Sequence, residues 1–277
     1  MLHRWLTVLR LPAFLVVALL TLSGFAGPVA ARGLPRPDHV VIVVEENHSY
    51  AQIIGNSAAP YINSLAHAGA LFTAAHGVTH PSLPNYLALF SGSTQGVHDD
   101  SCGHSFQGSN LATALAGAGQ QFTGYAEGLP APGSTVCTSG SYARKHNPWV
   151  YFRNVPAGAN QPFSRFPHDY STLPAVAMVV PNQRNDMHNG SIQQADSWLR
   201  QHLGGYVQWA QSHNSLLILT WDEDDFGQSN QIATIFVGPM VRAGRYSTPI
   251  SHYSVLGTVE AMYGVGGSGQ VISTIWK

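Results

Sequence analysis

What the chain lacks narrows it first. Only 10 % of its 277 residues are charged, 13 basic against 14 acidic, for a net charge of −1. Such a surface has no basic stripe for nucleic-acid phosphates and no general attraction to anionic membrane. The deficit does not signal disorder, because 44 % of the residues are hydrophobic and a large core is affordable. Cysteine is almost missing. Cys102 and Cys137 stand alone, outside any metal-type spacing such as C-x-x-C. In an oxidising compartment they would close one disulfide and restrict the unfolded chain by about 3 kcal/mol; two free thiols are the alternative. No internal repeat and no low-complexity tract is present. No apolar run reaches the ~20 residues that a spanning helix needs.

The longest apolar block, Leu11 to Leu22, follows Arg4 and Arg10 and precedes the small residues Val29-Ala30-Ala31. That order is an export signal with cleavage after Ala31; an uncleaved anchor is the rival. Residues 1–31 are therefore read as a signal peptide and 32–277 as a single domain, secreted to the exterior or the cell envelope.

Histidine is what the chain has in excess. Its 14 histidines outnumber the 13 lysines and arginines, and imidazole both ligates metals and moves protons near neutral pH. Four apolar runs read as buried strands: Val40–Val44, Leu173–Pro181, Ser215–Trp221 and Ile232–Val237. Shorter strands are expected at Leu71–Ala75 and Phe122–Glu127. Helices are expected at 60–66, after Ser82, at 110–118, at 192–210 and from Ser251. Strands alternating with helices predict an α/β fold around a largely parallel sheet. Residues 128–173 read as irregular, a lid or a surface excursion.

Several strands empty into polar groups, where α/β folds place ligands. Glu45-Glu46-Asn47 follows the first strand, Asp186-Met187-His188 lies after another, and Asp222-Glu223-Asp224-Asp225 closes a third. Either set could simply turn the chain. Ser82 lies in Thr79-His80-Pro81-Ser82-Leu83-Pro84-Asn85-Tyr86, just outside an expected helix start at Pro84. There it is either an N-cap or a nucleophile whose developing negative charge the helix N-terminus favours. Carboxylates and an amide suit Mg²⁺, Ca²⁺ or Mn²⁺, and added histidines admit Zn²⁺ or Fe. A serine beside such an ion can attack phosphorus, with a histidine protonating the leaving alcohol at mildly acidic pH. A serine carboxylesterase is the competitor, although no G-x-S-x-G elbow surrounds Ser82 and that reading leaves Glu46, Asn47, Asp222 and Glu223 without a task. A secreted metal-dependent binding domain is the third possibility.

Four segments then resemble one family: Val40–Asn47, Thr79–Tyr86, Asn185–Ile192 and Leu219–Asp225. In this order they resemble the bacterial phosphoesterase family, which holds acid phosphatases and phospholipase C enzymes within the alkaline-phosphatase superfamily. Tyr142–Trp149 and Ser251–Leu256 bring the chain nearest to its secreted acid phosphatases. The resemblance implies an alkaline-phosphatase-like three-layer α/β/α sandwich. It implies hydrolysis of phosphate monoesters, small or lipid (phosphoinositides among them), with a phospholipase C-type diesterase as the variant. It makes Ser82 the nucleophile and puts Glu46, Asn47, Ser82, Asp222 and Glu223 around one divalent cation. Asp186, His188 and His252 fall where relatives hold a second ion. Asp-x-His replaces the usual Asp-x-x-x-His and Asp222-Glu223 replaces an Asp-His pair, so His188 and His252 are expected to touch phosphate or leaving group directly. Lys145 and His146 are expected to bind phosphate as well.

Overall fold

Residues Val40 to Val44 are β-branched and carry no polar side chain, so they suit only a strand covered on both faces. They form the centre of β1 (His39–Glu45) in a computed structural model, which describes residues 1–3, 33–267 and 269–277. The expected signal, with Arg4, Arg10, Leu11–Leu22 and the cut after Ala31, lies outside the described residues. Among the described residues no helix is long and apolar enough to cross a membrane.

The other elements follow in alternation. Helices α1 (Tyr50–Ile53) and α2 (Pro60–Ala68) precede β2 (Ala70–His76). Then come α3 (Ser82–Ser91), α4 (Leu111–Gly117) and β3 (Phe122–Ala126). Two short strands, β4 (Thr138–Ser139) and β5 (Tyr142–Ala143), make a small hairpin, and β6 (Asn160–Pro162) joins the main sheet. The chain continues through β7 (Val176–Val180), α5 (Ile192–Ala210), β8 (Ser215–Trp221), β9 (Gln231–Val237), β10 (Gly244–Tyr246), β11 (Ile250–Ser251) and α6 (His252–Tyr263).

The main sheet has the order β10-β2-β9-β8-β1-β7-β3-β6, with β11 on β2. All of its neighbours pair in parallel except where β9 runs against β8 and β2. The run Ile232–Val237 is the expected fourth strand; a nine-residue connection, 222–230, is too short for a parallel crossover and reverses the chain. Helices α3, α4 and α6 pack together, and so do α2 and α5. The result is the expected three-layer α/β/α sandwich, and residues 34–277 form one compact unit.

Two details position the site. Ser82 is the first residue of α3 and Pro81 is its N-cap, so the serine sits one step inside the helix rather than outside it. Pro84 still falls in the first turn, where its missing N–H costs nothing. The stretch 128–173 is also more ordered than its composition suggests, holding one hairpin, one sheet strand and five short 3₁₀ turns. The disulfide Cys102–Cys137 ties its first part to the loop after α3, with Cα atoms 5.7 Å apart.

Candidate active site

Side chains of adjacent strand residues point to opposite faces, so Glu45 and Glu46 cannot serve one site. Glu46 takes the face toward α3. Glu45 is buried on the other face, where burial and the neighbouring Asp186, Asp196 and Glu127 raise its pKa well above the ordinary carboxylate range.

Ser82 Oγ lies 3.2 Å from Glu46 Oε2 and 3.4 Å from Glu223 Oε1. Three segments far apart in sequence thus meet on one hydroxyl: the tip of β1, the start of α3 and the tip of β8. Asp222 shapes this junction through Oδ1, which accepts the backbone N–H groups of Asn47 (3.1 Å) and Glu223 (2.7 Å). The contact of Asn47 is therefore made by its main chain, in the left-handed conformation at φ 54°. Its amide side chain, expected as a ligand, makes no recorded hydrogen bond.

The loop after β7 delivers Asp186 and His188 to the same place. The Asp186 carbonyl accepts Glu46 N–H (2.7 Å), and its Oδ1 accepts His188 N–H (2.8 Å). Beneath this loop Glu127, at the end of β3, accepts Asn182 N–H, Asn185 Nδ2 and Trp198 Nε1. His146 is wedged between the two acids, with Nε2 3.1 Å from Glu46 Oε1 and Nδ1 3.3 Å from Asp186 Oδ2. Lys145 donates to Asp100 Oδ2 (2.8 Å) and comes within 3.3 Å of His188 Nε2.

Two expectations change. His252 is buried; its Nε2 bonds the carbonyl of Asp222 at 2.6 Å and so braces the acidic turn, while its Nδ1 has no hydrogen-bond partner. His146 is likewise buried, at 1 % exposure, and faces carboxylates that repel a phosphate. Of the residues read as touching phosphate, Lys145 and His188 keep half-buried positions beside each other.

Four residues had been given no role. Asn85 accepts Val78 and Thr79 N–H through Oδ1 and donates to Glu223 Oε2, fixing the serine loop. Tyr86 donates to Glu46 Oε1. His80 spans Glu223 Oε2 (3.0 Å) and Asp224 Oδ1 (3.3 Å). Asp100 accepts Leu83 N–H at 2.9 Å as well as Lys145. The first three lie within the quoted motif around Ser82, so their proximity could have been read from it. Asp100 sits in a polar loop with no signal of its own.

The electrostatics are unbalanced. Burial raises the pKa of Glu46 and Asp186, pushes Asp222 up to about 7 and takes Glu223 up to about 9 with help from Asp222. Burial also lowers His146 and His188, and takes His252 down to about 4. Lys145 is disfavoured by burial, yet Asp100 and Glu46 outweigh that and hold its pKa up.

The donor set fits a cation. Asp222 Oδ2 is buried without a hydrogen-bond partner, and Asp186 Oδ2, His146 Nε2 and His80 Nδ1 are buried with only a carboxylate or imidazole 3.0–3.3 Å away and no aligned hydrogen bond. Buried polar atoms rarely go unsatisfied, and here they are the oxygen and imidazole types that bind divalent ions. Among the described residues Glu46, His146 and His188 form a group whose ligand atoms lie within 4.8 Å of one another. Only Glu46 is shared with the expected set of Glu46, Asn47, Ser82, Asp222 and Glu223; the histidines enter as candidate ligands instead of phosphate contacts.

Comparison with known proteins gives the same direction. The Phosphoesterase family pattern matches residues 56–266. A phosphatidylinositol-3-phosphatase from Mycobacterium tuberculosis is 52 % identical over 276 aligned residues, covering 94 % of this chain and 92 % of the relative. An acid phosphatase from Aspergillus fumigatus is 30 % identical, covering 74 % of this chain but about half (51 %) of its own length. Among solved structures, an alkaline-phosphatase-superfamily protein from Vibrio parahaemolyticus aligns with a TM-score of 0.60 at 13 % identity, over 86 % of this chain and 70 % of that one. A phosphonate monoester hydrolase from Agrobacterium radiobacter aligns at 0.55 and 13 %, over 86 % and 76 %.

Proposed function

This chain belongs to the phosphoesterase family, and on that premise we propose that it is an exported acid phosphatase that cleaves phosphate monoesters, phosphatidylinositol 3-phosphate among them, through a phosphoserine on Ser82. That it is a phosphoric ester hydrolase follows from the family and from relatives named phosphatases. The observation that carries the finer reading is the Ser82 hydroxyl held between Glu46 and Glu223 at 3.2 and 3.4 Å.

The substrate's phosphoryl group would enter beside Lys145, whose ammonium balances its charge. Ser82 Oγ attacks phosphorus and yields its proton to an adjacent carboxylate. The Oγ–P bond forms as the bond from phosphorus to the leaving alcohol breaks. The departing oxygen takes its proton from solvent at mildly acidic pH, because His188 Nε2 faces the Lys145 ammonium at 3.3 Å and is a candidate cation ligand. Water then attacks the phosphoserine, releasing inorganic phosphate and restoring the hydroxyl. Glu46, His146 and His188, with Asp186, Asp222 and Glu223 nearby, would hold a divalent cation, which would supply positive charge for the phosphoryl oxygens. The esterase alternative loses its base, because the recorded side-chain partners of Ser82 Oγ are carboxylates and no imidazole is among them.

The test is an acid quench during turnover followed by mass spectrometry of the peptide carrying Ser82. A phosphate adduct of the wild type, absent from Ser82→Ala, supports the reading. Turnover with no adduct and undiminished by Ser82→Ala overturns it. A panel of aryl phosphates, phosphoinositides and phosphatidylcholine separates monoesterase from diesterase.

A further inference from the structure

The loop between β8 and β9 displays an aromatic ring at the mouth of this site. Phe226 is 78 % exposed, in a chain whose other large apolar side chains are mostly covered. Its ring stacks on His80 with centroids 3.9 Å apart and planes 20° from parallel. His80 contacts Glu223, and Glu223 contacts Ser82 Oγ. One face of the phenyl thus rests on a residue two contacts from the hydroxyl, while the rest of it faces solvent.

The display is rigidly built. Phe226, Ser229 and Asn230 all have left-handed backbones, at φ 67°, 54° and 58°, a region that side chains with a Cβ avoid. What holds them there is the buried Asp224 carboxylate. Its Oδ1 accepts Phe226 N–H, and its Oδ2 accepts Gln228 and Asn230 N–H, at 2.8, 2.8 and 2.9 Å. Asn230 then fastens the loop to the serine segment. Its Nδ2 donates to Thr79 O (3.0 Å) and its carbonyl accepts Gly77 N–H (2.9 Å). The approach at Gly77 is so close that a Cβ there would lie 2.7 Å from the Asn230 side chain.

An exposed phenyl on a strained loop does nothing for the core. Linked to Ser82 through His80 and Glu223, its free face lies open to a group that extends out of the site. Aromatic faces bind apolar and aromatic groups well, and bind small polyols poorly. We propose that Phe226 is the leaving-group platform of the enzyme: with His80 behind it, the ring packs against the apolar or aromatic portion of the esterified alcohol and so sets which phosphate esters are preferred. This rests on the reading of Ser82 as the phosphoryl acceptor.

The experiment compares wild type with Phe226→Ala, Phe226→Leu and Phe226→Trp. Each is assayed for kcat/KM on 1-naphthyl phosphate, glycerol phosphate, and a short-chain phosphoinositide both as dissolved monomer and in phosphatidylcholine vesicles. Removing one aromatic contact should lower the preference for naphthyl over glycerol phosphate about three- to tenfold in Phe226→Ala. Phe226→Trp should keep it and Phe226→Leu should fall between. The monomeric phosphoinositide, whose leaving alcohol is the inositol ring, should follow glycerol phosphate. An equal loss on both soluble substrates, or no loss, overturns the platform. So does a loss confined to vesicles, which would make the ring a membrane contact instead. Failure of the underlying reading looks different: the wild type would then release phosphate from none of these esters in a Ser82-dependent way.

Discussion

Removing the proposed cation should destabilise the fold, and by more at neutral than at acidic pH. The perturbation is chelator dialysis. In the cation-free protein the buried Asp222 carboxyl has its pKa raised from 3.8 to about 7, mainly by burial. A raised carboxyl means that the folded protein holds a proton the unfolded chain has already lost between those two values. Stability is therefore present below the unfolded pKa near 4 and is lost as pH climbs toward about 7. Each pH step of one is worth about 1.4 kcal/mol for one such group. Because the group is already half deprotonated at its folded pKa of about 7, moving from pH 5 to pH 7 removes roughly 2 kcal/mol through Asp222 alone. Glu46, Asp186 and Glu223 are shifted the same way and act in the same direction. For a chain of this size each kcal/mol moves Tm by ~2–4 °C, so the chelated protein should melt on the order of 10 °C lower at pH 7 than at pH 5. A divalent cation should reverse this most strongly at pH 7, because its ligands must be deprotonated. Differential scanning fluorimetry at both pH values, with chelator or with each of Mg²⁺, Ca²⁺, Mn²⁺ and Zn²⁺ added back, reads the effect. A chelated protein equally stable at both, with no response to any cation, would refute the claim that the acids are organised around an ion.

Three further outcomes follow from the same contacts. Ser82→Ala should lower aryl phosphate turnover by about three orders of magnitude or more while leaving Tm within a degree or two, as checked by steady-state kinetics beside a melting curve. Asp100→Ala removes the partner of both Lys145 Nζ and Leu83 N–H; a lost hydrogen bond to a charged group is worth about 1.5–3 kcal/mol, and a higher KM with weaker inhibition by inorganic phosphate is the expected signature. Replacing Cys102 and Cys137 by serine opens a loop spanning a sequence separation of 35; the loop-entropy relation puts the loss at about 3–4 kcal/mol, measurable as a lower urea midpoint with a raised m-value, because the uncrosslinked denatured chain exposes more surface.

The strands and longest helix were legible because each carries its burial in its own composition. Val40–Val44 can only be a covered strand, and the spacing from Ile192 to Ala210 matches α5 from end to end. Where burial was not local, legibility failed. Asp196 falls on the covered face of that helix, where the sequence shows only an interruption. The fold uses it to hold the N–H groups of Tyr61 and Ile62 at the start of α2, whose own N-cap is an alanine that cannot do so. The antiparallel course of β9 was also hidden, since a buried strand looks the same in either direction.

The site divides along the same line. Chemistry-bearing residue types at strand tips, and a serine among prolines, can be read in one dimension, and they named Ser82, Glu46, Asp186, His188, Asp222 and Glu223 as the residues to watch. Which atom faces which could not be read. Asn47 contributes its main chain, His252 turns toward a carbonyl, and His146 sits between two acids because β1, the β7 loop and the 3₁₀ turn at 144–146 converge there. Residue identity is fixed by the gene and announces what chemistry is possible. Orientation depends on the packing of segments 30 to 175 residues apart, and that packing alone gives each of these groups its partner.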